Sequence, residues 1–242
     1  MNPKKPFLSI IIPVYNESKR LSSLNKITNF FKKTLYPVEL ILVNDGSTDV
    51  TLAKLNKLAN KLKFKIISYP INQGKGFAVK QGMLSASGRY SGFMDIDLST
   101  PLEQIDSFLK YFPQSDVVIG SRRLNQSNVI KSQPWIRQTL GKGFTFICQK
   151  VLNLPYSDFT CGLKIFKTIA ARKIFKKLSI NRWGFDAEML FIAHNLGLKI
   201  KETPVSWIND DRSQVKLSSD IIGSLKELLT IRLNHFKKIY KF

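Results

Sequence analysis

Two carboxylates in a short segment are the first residues whose types and spacing could do chemistry. Asp95 and Asp97 end the apolar run that begins at Phe93, and Thr100-Pro101 follows them. In an extended segment, residues i and i+2 point to the same side, so both carboxylates can converge on one cation. Such oxygen ligands suit Mg²⁺ or Mn²⁺, which can also bind phosphate oxygens. A turn rich in aspartate is the alternative interpretation of the same pair.

The elements that must position this pair alternate between strands and helices. Strand-like apolar runs occur at 7–14, 39–43, 64–69, 90–94 and 116–119, and segments of helical periodicity lie between several of them. Such alternation predicts a mostly parallel sheet flanked by helices. Thr100, Pro101 and Glu103 are typical of a helix start. The sequence therefore predicts that Asp95 and Asp97 lie at the carboxyl end of a strand, where open α/β sheets bind ligands.

Polar or glycine-rich turns follow the other predicted strands. Pro13, Tyr15 and Glu17 follow the first strand, and Asp45 opens an Asp-Gly-Ser turn after the second. The Asp45 side chain could accept hydrogen bonds from a nucleoside or could form only an Asx-turn. The segment 72–76 reads Asn-Gln-Gly-Lys-Gly and opens a helix, so its backbone N–H groups could approach an anion. Its spacing is neither that of a Walker loop nor that of a dinucleotide-binding fingerprint.

The second half of the chain lacks the regular alternation of strands and helices seen in the first half. We expect a polar loop at 126–132, helices at 135–152 and 185–196, and a strand at 199–207. The tail 221–242 predicts a basic amphipathic helix. Its apolar stripe consists of Ile222, Leu225, Leu229, Leu233, Phe236 and Tyr240.

The charge balance narrows the classes of partner. The 242 residues include 38 Lys and Arg against 17 Asp and Glu, which gives a net charge of +21. Such an excess favours a polyanionic partner, namely nucleic acid, an anionic membrane surface or a phosphorylated substrate, although biased composition alone could also produce it. Nucleic acid is the weakest of these, because the aromatic residues do not interleave with basic ones as a stacking platform requires.

Cysteine usage and hydropathy bear on the compartment. Cys148 and Cys161 are the only cysteines, and neither belongs to a Cys-x-x-Cys or Cys/His motif, so zinc and a disulfide framework are poorly supported. A reducing cytosol fits best. No stretch approaches the ~20 continuous apolar residues that span a bilayer. We therefore expect a cytoplasmic protein that is soluble or bound peripherally at the cytosolic membrane face.

Taken in order, the motifs resemble those of the family 2 inverting glycosyltransferases. They are Ile12-Pro13-Val14-Tyr15-Asn16-Glu17, Val43-Asn44-Asp45-Gly46-Ser47, Asn72-Gln73-Gly74-Lys75-Gly76, Asp95-Ile96-Asp97, Gly120-Ser121-Arg122, Asp158 with Cys161-Gly162-Leu163-Lys164, and Phe185-Asp186-Ala187-Glu188. Within that family the chain is most similar to the dolichyl or polyprenyl phosphate glucosyl- and mannosyltransferases, nearer to the glucosyl branch. The resemblance covers about residues 7–232.

The resemblance implies a GT-A fold, which is a Rossmann-like α/β fold with a mostly parallel central sheet. It implies a single glycosyltransferase domain over 1–242, in which 7–123 bind the nucleotide sugar, 124–217 form the acceptor half and 218–242 form the basic C-terminal helix. The implied donor is UDP-glucose, or a related nucleotide sugar of the GDP-mannose type. The implied acceptor is a polyprenyl or dolichyl phosphate, and the tail could contact an anionic membrane peripherally.

The resemblance also implies roles for individual residues. Pro13, Tyr15 and Glu17 would line the nucleoside pocket and Asp45 would hold the base or ribose, with Gly74 and Lys75 near the donor. Asp95 would contact the donor, and Asp97, with Asp95, would ligate the Mg²⁺ or Mn²⁺ that bridges the diphosphate. Arg122 and Arg137 would grip the acceptor phosphate, which suits the forked guanidinium group.

The nature of the acceptor decides whether the enzyme needs a general base. A hydroxyl acceptor on a polysaccharide, glycolipid or protein must lose a proton, and Asp186 or Glu188 would then be the base. A lipid phosphate is already ionised near neutral pH, because its second pKa is ~6, and needs cations instead. In that case Asp186 and Glu188 would orient the donor or a neighbouring cation, and Glu188 could be purely structural.

One segment departs from the family pattern. Relatives of the glucosyl branch usually carry Gly-Ser-Lys-Val where this chain has Arg212-Ser213-Gln214-Val215. Either Arg212 or Lys216 replaces the missing lysine charge near the diphosphate, or the donor is handled differently.

Overall fold

The computed structural model of the protein describes residues 5–210 and 217–242, with the backbone alone for 217–222. The segment 212–216, where the sequence departs from the family pattern, lies outside the described residues. The strands are β1 (Leu8–Val14), β2 (Val38–Asp45), β3 (Lys65–Tyr69), β4 (Tyr90–Phe93), β5 (Val117–Ser121), β6 (Asn128–Lys131), β7 (Lys164–Lys167), β8 (Ile200–Pro204) and β9 (Ser206–Ile208). The helices are α1 (Ser23–Lys32), α2 (Thr51–Leu62), α3 (Lys75–Ser85), α4 (Gln104–Leu109), α5 (Trp135–Leu152), α6 (Thr168–Lys177), α7 (Phe185–Asn195) and α8 (Leu217–Phe236).

A seven-stranded sheet in the order β3-β2-β1-β4-β7-β5-β8 organises the molecule. Neighbouring strands pair in parallel except around β7, which is antiparallel to both β4 and β5. The predicted mostly parallel sheet flanked by helices is therefore confirmed. Strands from both predicted halves of the chain contribute to this one sheet.

Apolar layers cover both faces of the sheet. Along β1, Ile11 packs in the layer that contains α3, α6 and α7, whereas Ile10 and Ile12 pack in the layer that contains α1 and α4. Successive strand residues point to opposite faces, so a strand covered on both sides must be apolar at nearly every position. This explains why the first strand is a continuous apolar run in the sequence.

Two local predictions were wrong. The helix expected from Thr100 begins only at Gln104, because the chain first turns: the backbone N–H of Ser99 donates to Oδ1 of Asp97 at 2.9 Å, and Leu98 has a φ of 58°. The loop predicted at 126–132 contains β6, which pairs in parallel with β9. A strand partner supplied by distant sequence converts this polar segment into regular structure.

The helix predicted within 221–242 is α8, which ends at Phe236, and much of its predicted apolar stripe is exposed. Leu228 and Ile231 of α8 are buried in the core, whereas Leu229, Leu233 and Phe236 of the predicted apolar stripe are exposed. The helix is therefore apolar on two faces, of which one packs on the domain. Among the helices in the described ranges, none has the length and hydropathy required to cross a bilayer.

The packing of α3 on the sheet gives a stability test. A Cβ added at Gly82 would lie 2.4 Å from Cγ2 of Ile11, and a Cβ at Gly143 of α5 would meet nothing within 4 Å. We expect Gly82→Ala to lower the free energy of unfolding by about 1–3 kcal/mol through overpacking. We expect Gly143→Ala to raise it by about 0.5–1 kcal/mol, because alanine is the better helix former. Urea denaturation of both variants measures the difference, and a stabilised Gly82→Ala would contradict the close packing.

Candidate active site

The carboxyl edge of the sheet collects most of the predicted site residues. Asp95 and Asp97 follow β4, and Arg122 follows β5. Because β7 runs antiparallel, its first residue, Lys164, pairs with the last residue of β4, Phe93, and also with Ile119 near the end of β5. The reversed strand therefore presents its amino end where the others present their carboxyl ends.

Asp95 is held by a lysine on one side and a glycine on the other. Nζ of Lys75, the first residue of α3, lies 2.7 Å from Oδ1 of Asp95. A Cβ at Gly162 would lie 2.2 Å from Oδ2, so any larger residue there would displace the carboxylate. Burial disfavours the charge on Lys75, but Asp95 and Asp186 outweigh burial and raise the pKa of Lys75. Lys75 is therefore a cation near neutral pH.

Asp97 lies beside Asp95 and is affected by its charge. Burial and then the negative charge of Asp95 raise the pKa of Asp97, against the opposing hydrogen bond from Ser99 and the charge of Lys75. Burial, with smaller contributions from Asp97 and Asp95, also raises the pKa of Glu17 despite Arg20. Carboxylates thus converge from the ends of β1 and β4, and the motif spacing had predicted this only for Asp95 and Asp97.

A second ion pair lies deeper in the same cluster. Nζ of Lys164 donates to Oδ1 of Asp186 at 2.6 Å and to the carbonyl oxygen of Cys161 at 2.7 Å. Lys164 is 0% exposed and Asp186 is 6% exposed. Burial raises the pKa of Asp186, and the charges of Lys164 and Lys75 oppose the rise. Asp186 therefore faces cations within the fold.

Arg122 is clamped by an aspartate that sequence reasoning did not assign to the site. Nε and Nη2 of Arg122 donate to the two carboxylate oxygens of Asp158 at 2.7 and 2.8 Å, and the backbone N–H of Arg122 adds a third bond. Nη2 also donates to Thr160, and the guanidinium stacks over Trp207. The motif from Asp158 to Lys164 marked Asp158 in the sequence. Its pairing with Arg122 could not be predicted from it, because the two residues are 36 positions apart.

The residues predicted to bind the nucleoside surround the ends of β1 and β2. The carboxylate of Asp45 accepts hydrogen bonds from the backbone N–H groups of Gln73 and Gly74 at 2.8 and 2.9 Å and from the Asn72 amide at 2.8 Å. The observed contacts of Asp45 thus shape the turn before α3, and a contact with the base or ribose stays a prediction. Pro13 and Glu17 are half-buried, and Tyr15 is exposed.

Glu188 is the one predicted catalytic residue that the structure removes from the reacting groups. Its side chain is 0% exposed, and its carboxylate accepts hydrogen bonds from Ser179, Ile180 and Tyr240. A base must reach the proton that it abstracts, so Glu188 fits only the structural alternative. Arg137 lies in the first turn of α5 and is half-buried, and its contact with an acceptor phosphate stays a prediction.

Within the described residues, no group of three or more His, Cys, Asp or Glu side chains could hold a metal ion alone. The pair Asp95 and Asp97 is the remaining candidate. Mg²⁺ is usually bound through one or two carboxylates together with substrate phosphates, so a pair of this kind suits a cation that arrives with a phosphorylated ligand. Lys75 at the start of α3 adds a positive charge where the helix dipole also favours an anion.

The fold is similar to that of solved enzymes. A crystal structure of glucosyl-3-phosphoglycerate synthase from Mycobacterium tuberculosis with Mn²⁺, UDP and glucosyl-3-phosphoglycerate has a TM-score of 0.64 to this chain at 17% identity, covering 93% of this chain and 80% of the other. At that identity the likeness establishes the fold alone, which is the expected GT-A fold.

The sequence comparisons define the class of the protein and then a kind of enzyme to which it is similar. The model of glycosyl transferase family 2 matches residues 9–175, so the chain belongs to that family and is a glycosyltransferase. It is 32% identical to the dolichyl-phosphate beta-glucosyltransferase of Dictyostelium discoideum, over 97% of this chain and 76% of that protein. It is 33% identical to the enzyme of the same name from Saccharomyces cerevisiae, over 97% and 77%. The resemblance inferred from the motifs is confirmed.

The ion pair between Arg122 and Asp158 predicts how the stability of the protein depends on pH. Burial alone would raise the pKa of Asp158, but Arg122 outweighs it and holds that pKa well below its usual range. A carboxyl group with a depressed folded pKa stabilises the protein above its unfolded pKa of ~3.9, and this stabilisation is lost as the pH falls below that value. We expect Asp158→Asn to lower the free energy of unfolding at pH 7 by about 3 kcal/mol, because it leaves the guanidinium of Arg122, only 19% exposed, without its counter-charge.

Urea denaturation at pH 7 and again near pH 3 measures this effect. The difference between wild type and Asp158→Asn should shrink at the lower pH, because the unfolded wild-type chain then takes up a proton at Asp158. A difference that is the same at both pH values would show that ionisation of Asp158 does not stabilise the fold.

Proposed function

We propose that this glycosyltransferase moves glucose from UDP-glucose to a polyprenyl phosphate, in a reaction that requires Mg²⁺ or Mn²⁺ and inverts the anomeric centre. The observation that carries the proposal is the meeting of Asp95, Asp97 and Lys75 at one edge of the sheet. A nucleoside diphosphate that leaves the sugar gains negative charge, and these groups can bind a divalent ion and a phosphate side by side. The names of the similar enzymes support glucose and a dolichyl phosphate.

The electrostatics of the aspartate pair support a divalent cation. Asp97 has a raised pKa because it is buried next to Asp95, so proximity to a second carboxylate disfavours its charge. A cation between the two carboxylates would remove that repulsion. The residues present therefore fit the metal, whose chemistry would be to stabilise charge on the departing diphosphate. The M. tuberculosis synthase, which has a similar fold, was crystallised with Mn²⁺ and UDP, and this supports a divalent cation here.

The state of Asp186 supports a phosphate acceptor over a hydroxyl acceptor. Its carboxylate is 2.6 Å from the ammonium group of the fully buried Lys164. Asp186 is only 6% exposed and its Oδ1 already accepts a hydrogen bond from Lys164, whereas a base must reach the hydroxyl proton that it abstracts. A lipid phosphate needs no base, only cations, and Arg122 and Arg137 are our proposed partners for it.

The function is tested by direct turnover. Purified protein with UDP-glucose, Mn²⁺ and a polyprenyl phosphate should form a glucosylated lipid that survives extraction into organic solvent. Parallel reactions with GDP-mannose, with a polyprenol lacking the phosphate and with EDTA are the controls, and each should give far less product. Product only with a hydroxyl acceptor would favour the alternative, and no product with any common nucleotide sugar would refute the proposal.

Asp97 provides the matched variant for this assay. Asp97→Ala should reduce turnover by at least about a hundredfold, since the charge stabilised by the metal is worth several kcal/mol. Calorimetric titration with UDP should show that Mn²⁺ strengthens UDP binding to wild type but not to the variant. Asp106→Ala, which changes an exposed residue of α4, is the control and should behave as wild type. Unchanged metal dependence in Asp97→Ala would show that Asp97 is not a metal ligand.

We also propose that α8 contacts an anionic membrane surface. Leu229, Leu233 and Phe236 are exposed at i, i+4 and i+7, and the exposed Lys226 and Lys237 lie on the same side of the helix. An apolar stripe flanked by lysines suits the interface of a bilayer, where each lysine near anionic lipid is worth ~1 kcal/mol. A surface that binds the bilayer would bring the enzyme to a lipid acceptor.

Co-sedimentation with vesicles tests the membrane contact. Wild type should bind vesicles that contain phosphatidylserine and should bind pure phosphatidylcholine weakly. Leu233→Ser should weaken binding about tenfold, because a buried leucine side chain is worth roughly 1.5–3 kcal/mol. Leu35→Ser removes a leucine after α1 that is even more exposed than Leu233, and it should have no effect. Equal losses in the two variants would contradict a role for α8.

A further inference from the structure

The last residues of the chain turn back into the protein. Tyr240 is 1% exposed, although the residues on both sides of it, 237–239 and 241–242, are exposed. Lys238 and Lys241 on either side of it have φ values of 55° and 46°. Nζ of Lys177 on α6 donates to the carbonyl oxygens of Tyr240 and Lys241 at 2.5 and 2.9 Å. Left-handed backbone at non-glycine residues persists only where the surroundings impose it, so this ending is specifically bound.

The buried hydroxyl of Tyr240 reaches the carboxylate of Glu188. The donor-to-acceptor distance is 2.7 Å, and the two residues are 52 positions apart. The same carboxylate accepts the backbone N–H of Ile180 at 2.7 Å, that of Ser179 at 3.0 Å and the Ser179 hydroxyl at 2.5 Å. Asn234 of α8 donates to that hydroxyl at 3.1 Å. Glu188 therefore joins the tail to the connection between α6 and α7, residues 178–184.

The connection 178–184 forms the wall against which α3 begins. The backbone N–H of Phe77 donates to the carbonyl oxygen of Asn181 at 3.0 Å, and Nζ of Lys80 donates to that of Leu178 at 2.6 Å. A Cβ at Gly74 would lie 2.5 Å from the carbonyl oxygen of Asn181, and one at Gly76 would lie 2.8 Å from that of Ile180. Such close backbone contact means that a shift of the connection must move the first turn of α3 or separate from it.

The first turn of α3 carries the cation of the donor site. Lys75 pairs with Asp95 at 2.7 Å, and its Nζ lies 5.7 Å from the centre of the Trp183 ring, which belongs to the same connection. Contacts therefore run without a break from Tyr240 through Glu188 and residues 178–184 to Lys75.

We propose that Tyr240 is a positioning residue for the donor diphosphate: through Glu188 it fixes the connection 178–184, and this connection fixes Lys75 and the start of α3. The proposal rests on the proposed function, since it concerns the same donor site. A catalytic cation that is misplaced by a fraction of an ångström loses much of its effect, because such groups work only in a productive geometry. Tyr240 thus serves the donor site without touching the donor.

The test is Tyr240→Phe, which keeps the ring and removes only the hydroxyl. We expect the KM for UDP-glucose to rise about three- to tenfold, which is the scale of one lost hydrogen bond of ordinary strength. The KM for the polyprenyl phosphate should stay within twofold of wild type. Tyr36→Phe is the matched control, because the Tyr36 hydroxyl also donates to a carboxylate, that of Asp106, near the start of β2 and away from the site. Its kinetic constants should equal those of wild type.

Hydrogen exchange gives a readout that needs no turnover. In Tyr240→Phe, the amides of residues 178–184 and 74–80 should exchange faster than in wild type, and Tyr36→Phe should leave both segments unchanged. Glu188→Gln should produce the same pattern, and the effects of Tyr240→Phe and Glu188→Gln on UDP binding should be less than additive, because both act through one network. If Glu188→Gln does not fold, the hydrogen exchange and UDP binding of Tyr240→Phe decide the test.

The outcomes separate the two proposals. Wild-type protein that forms no product refutes the proposed function, and exchange in segment 74–80 then still tests the link from the tail to α3. Active wild type with unchanged KM for UDP-glucose and unchanged exchange in Tyr240→Phe refutes the positioning role, even if the melting temperature falls. Faster exchange at 178–184 without any change at 74–80 or in donor KM also refutes it, because the tail would then stabilise the connection alone.

Discussion

Ionic groups taken out of water must be paired, and the carboxyl edge of this sheet depends on that requirement. A buried charge whose partner is removed destabilises a protein by several kcal/mol. Here Lys75 pairs with Asp95, Lys164 with Asp186, and Arg122 with Asp158. Each pair joins segments that are distant in sequence, so the loops at this edge are fixed by the same contacts that neutralise their charges. Asp97 differs from these paired groups, because burial and the charge of Asp95 raise its pKa and so disfavour its ionised form.

Much of this arrangement could be predicted because parallel strands impose it. In a parallel sheet every strand ends at the same edge, so motifs that follow separate apolar runs must meet in space. That argument correctly brought together the groups after β1, β2, β4 and β5. The direction of β7 could not be predicted, because a short apolar run such as Ile165-Phe166 pairs equally well either way. The reversal is what places Lys164 and Gly162 against the aspartates.

The remaining misses share a physical cause, which is that the deciding partner lies far along the chain. Nothing near Glu188 in the sequence shows that its carboxylate is taken up by Tyr240. The polar segment 128–131 becomes a strand only because β9 offers it hydrogen bonds. The helix expected at Thr100 starts late because Asp97 first bonds to Ser99, a choice between two local patterns that residue types alone do not decide. Local propensity thus located the motifs, and long-range contacts set their roles.

The pairing of Arg122 with Asp158 has a consequence for how the fold can change. The two residues are 36 positions apart, and the chain between them holds β6 and α5 before it returns to the sheet through β7. The ion pair therefore joins the two ends of the segment 123–157, which leaves the sheet after β5 and returns next to the same point. The entropy of closing a loop depends only weakly on its length, so this segment can become longer or shorter at little cost in folding free energy. Because the ion pair holds the two ends of this segment together, changes in its length need not move Asp95 and Asp97.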